Sequence, residues 1–222
     1  MKVFLTALVA LTLATSAYAR SPQQDREVLK QMSDNLVAPL GDVPMYTKVN
    51  VLSQFIATKM KPVNARVGLQ EITATSNTPI LDRIMFGSGW CNHQAEAFIV
   101  LASFQHIKTR LVFLMNKDAT ASHHSIAEAW VDGRWVIVDP MFNIDIKNAE
   151  GLPISRDDVR IDPTLLWKAK LIKKRADFET HEAVVEWLKV FEYPAYIVYE
   201  VDEVGKYTRI DAQEGAIAPT RS

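Results

Sequence analysis

The sequence predicts an α+β fold, and three features of it do so. Apolar residues recur at helical spacing through most of the first hundred positions. Two branched segments then flank an Asp-Gly pair at 132–133, a short-range hairpin signal. The elements fall into a block of helices followed by a run of strands, not the βαβ alternation of a parallel sheet.

The elements follow in order. Gln23 to about Leu36 is an amphipathic helix with Val28, Leu29, Met32 and Leu36 on one stripe. A turn-rich connector, Ala38 to Pro44, leads to a second helix from Tyr46 to about Lys59, carried by Val49, Leu52, Phe55 and Ile56. Ile80 to Phe86 reads as a short helix entering Gly87-Ser88-Gly89. Cys91 to His106 is the central helix, with Ala95, Phe98, Ile99 and Ala102 on one stripe and small residues that permit close packing. Arg110 to Met115 is a strand, and His123 to Val131 and Arg134 to Val138 are the two arms of the hairpin. Arg156 to Lys174 and Phe178 to Val190 have helical patterns. Pro194 to Val201 and Tyr207 to Ile210 form a second strand pair around Gly205.

Composition removes several function classes. At 222 residues, with 48% hydrophobic and 23% charged positions, the chain has the profile of a globular protein, not of a disordered or fibrous one. Its net charge of −1 lacks the basic excess that holding a phosphate backbone requires, so nucleic acid is not an expected partner. Residues 1–19 read as a secretory signal peptide: Lys2 precedes an uncharged apolar run from Val3 to Ala14, and Ala17-Tyr18-Ala19 supplies small residues before Arg20-Ser21-Pro22. The run is shorter than the ~20 residues a bilayer span needs, so cleavage is expected and no stable membrane anchor after it. The expected organisation is a leader, 1–19, and one domain, 20–222, in a periplasmic or secreted location. Export gives the lone cysteine weight. Exported proteins pair their thiols or dispense with them, so Cys91 is either buried and inert or used for its thiol.

Cys91 opens the central helix after Gly87-Ser88-Gly89-Trp90. Free backbone N–H groups and the positive end of the helix dipole favour a thiolate there, and the same N–H groups are able to stabilise a developing oxyanion. Gly89 lets the backbone approach a substrate, and Trp90 is placed to line an acyl pocket. The hairpin supplies a base. With Asp132-Gly133 as a two-residue turn, Val131 faces Arg134, Trp130 faces Trp135, Glu128 faces Ile137, and Ile126 faces Asp139. Side chains alternate faces along a strand, so His124 shares a face with Asp139 as its diagonal neighbour, whereas His123 points the other way. A base within reach of a thiol, itself held by a third group, is the general arrangement of nucleophilic catalysis. Periodicity does not bring Cys91 to His124. That step requires the helix to meet the sheet with its end.

Two blocks of sequence resemble the transglutaminase-like superfamily of papain-related thiol enzymes. The first is Gly89-Trp90-Cys91-Asn92-His93-Gln94-Ala95, continuing to Leu101 and Ile107-Lys108-Thr109-Arg110. The second runs from His124-Ser125-Ile126-Ala127-Glu128 through Asp132-Gly133 to Trp135-Val136-Ile137-Val138-Asp139-Pro140. Ile126 stands where an aromatic is frequent in the family, and His106 where a glycine is usual. The resemblance covers about Gly87 to Phe142. It implies a papain-like core with the Cys-bearing helix packed on an antiparallel sheet, with Cys91 as nucleophile, His124 as general acid/base and Asp139 as its orienter. It also implies amide chemistry on a protein or peptide-like substrate through a thioester acyl-enzyme, water giving hydrolysis and an amine giving transfer. Alternatives are a Cys-His-Asp N-acyltransferase using a thioester donor, and a non-catalytic binding or assembly module with a vestigial triad.

Other residues have plainer readings. Glu128 suits a buried ion pair with an arginine as well as an extra acid. Trp130 and Trp135 suit a cross-strand aromatic pair. The spacing of Cys91, His93, His123 and His124 is not a usual zinc pattern, and no Gly-rich phosphate loop is present, so neither metal nor cofactor is expected. The lysine-rich stretch from Lys168 to Arg175 reads as a solvated helix face.

Overall fold

The computed structural model describes residues 20–62, 78–143, 145–165, 189–193, 196–202 and 205–210. The predicted leader, most of the two predicted late helices, the lysine-rich stretch and the C-terminal tail lie outside the described residues.

Helix α1 (Pro22–Val37) starts where the sequence supplies a capping box: Ser21 Oγ accepts from the Gln24 N–H at 3.3 Å, and the Gln24 side chain accepts from the Ser21 N–H at 2.8 Å, with Pro22 in the first turn. Helix α2 (Met45–Lys59) buries Val49, Leu52 and Ile56 at helical spacing. Strand β1 (Lys61–Pro62) pairs in parallel with β2 (Ser88–Gly89), which follows helix α3 (Ile80–Phe86). Gly87 ends α3 at φ 72, a left-handed cap that glycine adopts without strain. This two-residue ladder straps the turn that delivers the next helix.

That helix, α4 (Cys91–Ser103), is buried on every side from His93 to Ala102, which makes it the central post of the core. It ends one turn earlier than the pattern predicts. Residues Phe104 to His106 form a turn closed by the Ile107 N–H donating to the Ala102 carbonyl at 3.2 Å. His106 sits there at φ 56, the conformation that explains why a glycine is usual at this position.

Strands β3 (Thr109–Met115), β4 (Ser122–Val131), β5 (Arg134–Val138), β6 (Tyr196–Val201) and β7 (Tyr207–Arg209) make an antiparallel sheet in the order β5-β4-β3-β6-β7. The hairpin register is the predicted one, Val131 with Arg134, Trp130 with Trp135 and Glu128 with Ile137. Asp132 and Gly133 both have positive φ, 50 and 84, as a type I′ turn requires. One sheet face, through Leu111, Ala127, Ala129 and Val138, packs on α1 to α4. The other, through Val112, Leu114, Ile126 and Ile137, packs on Phe142, Ile154, Phe191 and Val159 of helix α5 (Arg156–Ile161). The fold is thus α+β, with the Cys-bearing helix packed on an antiparallel sheet. Among the described residues no helix is long and apolar enough to cross a membrane.

Candidate active site

The site forms where β5 stops. Along β4 the backbone N–H groups point alternately to the two neighbouring strands. The Trp130 N–H donates to Lys108 on the β3 side, so odd-numbered residues direct theirs toward β5. Pairing with β5 ends at Ala127–Val138, because Pro140 has no N–H with which to continue the ladder. At the open edge beyond the end of β5, the Ser125 N–H donates to the sulfur of Cys91. Helix α4 lies across the face of β4 that carries Ala127 and Ala129, and its first residue reaches around to this edge.

There the sulfur meets the other sheet face. The His124 imidazole stands close enough to Cys91 to act on its thiol, and its Nε2 lies 2.5 Å from Asp139 Oδ2. Nδ1 is therefore the ring nitrogen left to face the thiol. His124 and Asp139 are wholly buried, while Cys91 is partly exposed. The rings of Phe142 and Phe191 stand edge-on to the imidazole, at 5.5 and 6.0 Å between centroids. Asp139 is itself fixed, its Oδ1 accepting the Phe142 N–H at 3.2 Å.

The electrostatics favour an ion pair. Burial pushes the Cys91 thiol up, but the hydrogen bond and charge of His124 together with the Ser125 N–H outweigh it, and the thiol is held below its ordinary value. Burial pushes His124 down, but the charge and hydrogen bond of Asp139, helped by Cys91, raise it to about 9. Between those limits the pair is thiolate and imidazolium, titrating as a unit.

The turn before the sulfur is tightly built. A Cβ on Gly89 would lie 2.8 Å from Met60 Cε and 2.9 Å from His93 Cβ, so only glycine fits. Gln94 Nε2 donates to the Gly89 carbonyl at 3.1 Å. His93, held down to about 4 by burial and by Arg83, stays neutral, and its Nδ1 accepts from the Trp90 N–H at 3.4 Å. The Trp90 side chain is 41% exposed beside the sulfur.

Of the sequence-predicted residues, Cys91, His124 and Asp139 come together, Trp90 is open beside them, and Gly89 is buried in the turn beneath. His123 is exposed and faces another cavity, with Lys117 and Tyr193. Glu128 is a buried ion pair with two arginines, Arg110 and Arg156, each with a contact of 2.6 Å. Trp130 and Trp135 pair edge-on at 5.2 Å. Sequence reasoning missed Ser125. Its side chain gives no hint of a backbone role, although the parity of β4 and the proline at 140 together contain it.

A thiol beside a carboxylate-backed imidazole is the arrangement on which thiol enzymes rest. Residues 34–140 match the model of the Transglutaminase-like superfamily. The match starts well before the Gly87 to Phe142 stretch that carries the resemblance and takes in α2 and α3, two of the helices on which α4 packs. Similar solved structures include a candidate cysteine protease from Cytophaga hutchinsonii, at 21% identity over 52% of this chain and 37% of that one, with a TM-score of 0.40. Others are a candidate protease from Parabacteroides distasonis, at 14% over 51% and 23% with a TM-score of 0.42, and a TGase, at 13% over 63% and 38% with a TM-score of 0.36. The chain therefore spans less than two fifths of the length of each of these. No curated protein matches it.

Proposed function

We propose that this protein is an exported thiol enzyme that acts on amide bonds of protein or peptide-like substrates through a Cys91 acyl-enzyme. The observation that carries the reading is the single imidazole standing between a partly exposed sulfur and a buried carboxylate. The thiolate adds to the carbonyl. The Ser125 N–H and the free N–H groups at the start of α4 surround the sulfur with donors, and the latter are placed to stabilise the oxyanion. Imidazolium His124 then protonates the leaving amine. As neutral imidazole it takes a proton from the incoming water or amine, while Asp139 holds the ring and its charge. Trp90 and the Gly89 turn form the substrate side. We place residues 1–19 as a cleaved leader and 20–222 as one domain, on the leader pattern and the lone cysteine.

The test is incubation of wild type and Cys91→Ala with a mixed peptide library and a labelled primary amine, read by mass spectrometry. New peptide termini in wild type alone establish hydrolysis. Amine incorporation establishes transfer. Acylation of Cys91 only by thioester donors favours the N-acyltransferase. No chemistry in any arm leaves a binding module and overturns the proposal.

A further inference from the structure

The sheet face that carries His124 holds a second cluster farther along. Glu128 lies four residues from His124 on β4, about 13 Å away along the strand. It borders a cavity of about 390 Å³ lined by Arg110, Trp135, Arg156 and Tyr196 among others. Glu128 is 1% exposed and carries two guanidiniums. Oε2 accepts Arg110 Nε at 2.6 Å and Arg156 Nη2 at 3.3 Å, and Oε1 accepts Arg156 Nε at 2.6 Å. The neighbouring rim charges pair one to one, Arg134 with Asp158 and Arg160 with Asp157. Lys108 adds a further cation 5.4 Å from the Trp135 ring centre. Glu200, one register step beyond the Leu111–Tyr199 pair, is exposed and makes no ion pair with Arg110 among the described residues. Positive charge is therefore in excess at the cavity wall.

The two arginines are also held in place. Arg110 lies over Trp135 at 4.0 Å and Arg156 over Tyr196 at 3.6 Å, and their side chains are only 16% and 11% exposed. Arg110 gives Nε to Glu128, and among the described residues no acceptor takes its terminal amino groups. A solvated charged face would leave such side chains loose. Arg156 gives its Nε and Nη2 to Glu128, whereas stacking holds the Arg110 guanidinium with its terminal amino groups toward the cavity, which is the preparation that recognition of an oxyanion needs.

We propose that this cavity is a binding site, separate from the thiol centre, for a carboxylate or phosphate group on a small ligand, with Arg110 as its anchor and Arg156 holding Glu128 beside it. The test titrates the full-length protein with sodium phosphate and, separately, sodium succinate up to ~10 mM against sodium chloride of matched ionic strength. The readouts are calorimetry and the indole N–H resonance of Trp135, assigned with W135F. Saturable binding of either anion that moves the Trp135 resonance supports the site, and the tighter anion identifies the chemistry. R110K keeps a cation beside Glu128 and removes the fork, so binding should weaken at least ~10-fold. The resonance in wild type decides the matter should that variant fail to fold. Absence of saturable binding by both anions overturns the proposal, as does binding that leaves Trp135 unmoved.

Discussion

Replacing Asp139 by Asn removes one charge from the site and one of its two acceptors, since Oδ2 meets His124 Nε2 and Oδ1 accepts the Phe142 N–H. The amide keeps the shape of the carboxylate and can still accept from Nε2. What goes is the charge that raises His124 against the burial that lowers it. A fully buried imidazole without that charge becomes neutral near pH 7 and no longer holds Cys91 down, so burial leaves the thiol at or above its ordinary value. An ordinary thiol with a pKa of about 8.5 is only ~3% thiolate at pH 7, whereas an ion-paired Cys91 is mostly thiolate there. The population difference approaches ~30-fold, and the weaker intrinsic nucleophilicity of a low-pKa thiolate reduces it to ~10-fold in rate. The assay is the second-order rate of iodoacetamide labelling at Cys91 between pH 4 and 10, followed by intact mass. Wild type should reach its plateau below the ordinary thiol range, and Asp139→Asn should shift that limb upward and react ~10-fold more slowly at pH 7. Superimposable profiles for the two proteins, or a wild-type limb near pH 8.5, would refute the ion-pair argument.

Three further outcomes follow from the same geometry. Raising His124 from 6.5 to about 9 stabilises the fold below pH 6.5, and that stabilisation is lost as the pH rises toward 9. Depressing Cys91 acts oppositely, so in wild type the two offset across this window. In Cys91→Ala only the part of the histidine effect that comes from Asp139 remains, and urea melts should show stability falling as pH rises above 6.5 by less than the ~3 kcal/mol of the full shift, whereas a profile that rises would contradict it. Gly89→Ala should cost ~1–3 kcal/mol in a chemical melt, since its Cβ meets Met60 and His93, and an unchanged midpoint would show that the turn has slack. Glu96, 1% exposed, pairs with Arg83 and accepts from Asn92 and Tyr207, so Glu96→Gln strands a buried guanidinium and should cost ~3–5 kcal/mol, a loss under 1 kcal/mol counting against that network's role.

Much of this site is legible in the sequence because strand parity is strict. An Asp-Gly turn fixes the pairing of Trp130 with Trp135, and alternation then puts His124 with Asp139 and turns His123 away. The approach of Cys91 is not legible. Helix periodicity reports which residues are buried, and α4 is buried all round, so its pattern does not identify the sheet face it covers. Nor does local sequence reveal that Glu128 collects Arg156 from 28 residues away, or that β6 and β7 flank β3 rather than the hairpin. Both depend on contacts distant in sequence, which no local pattern encodes. The strand pair around Gly205 was visible as a hairpin, but its place in the sheet was not.

The unpaired edge is what joins these parts into a functional arrangement. Had β5 continued past Val138, the Ser125 N–H would have gone into the ladder and the sulfur would have had no room at the strand edge. Proline at 140 stops the strand, and Asp139 immediately before it turns its carboxylate onto the same-face histidine three residues beyond the last β4 partner of β5. One chain break in the pairing thus releases a donor for the thiolate, opens the position the helix end occupies and sets the carboxylate behind the imidazole. Extending the ladder would cost the site all three at once.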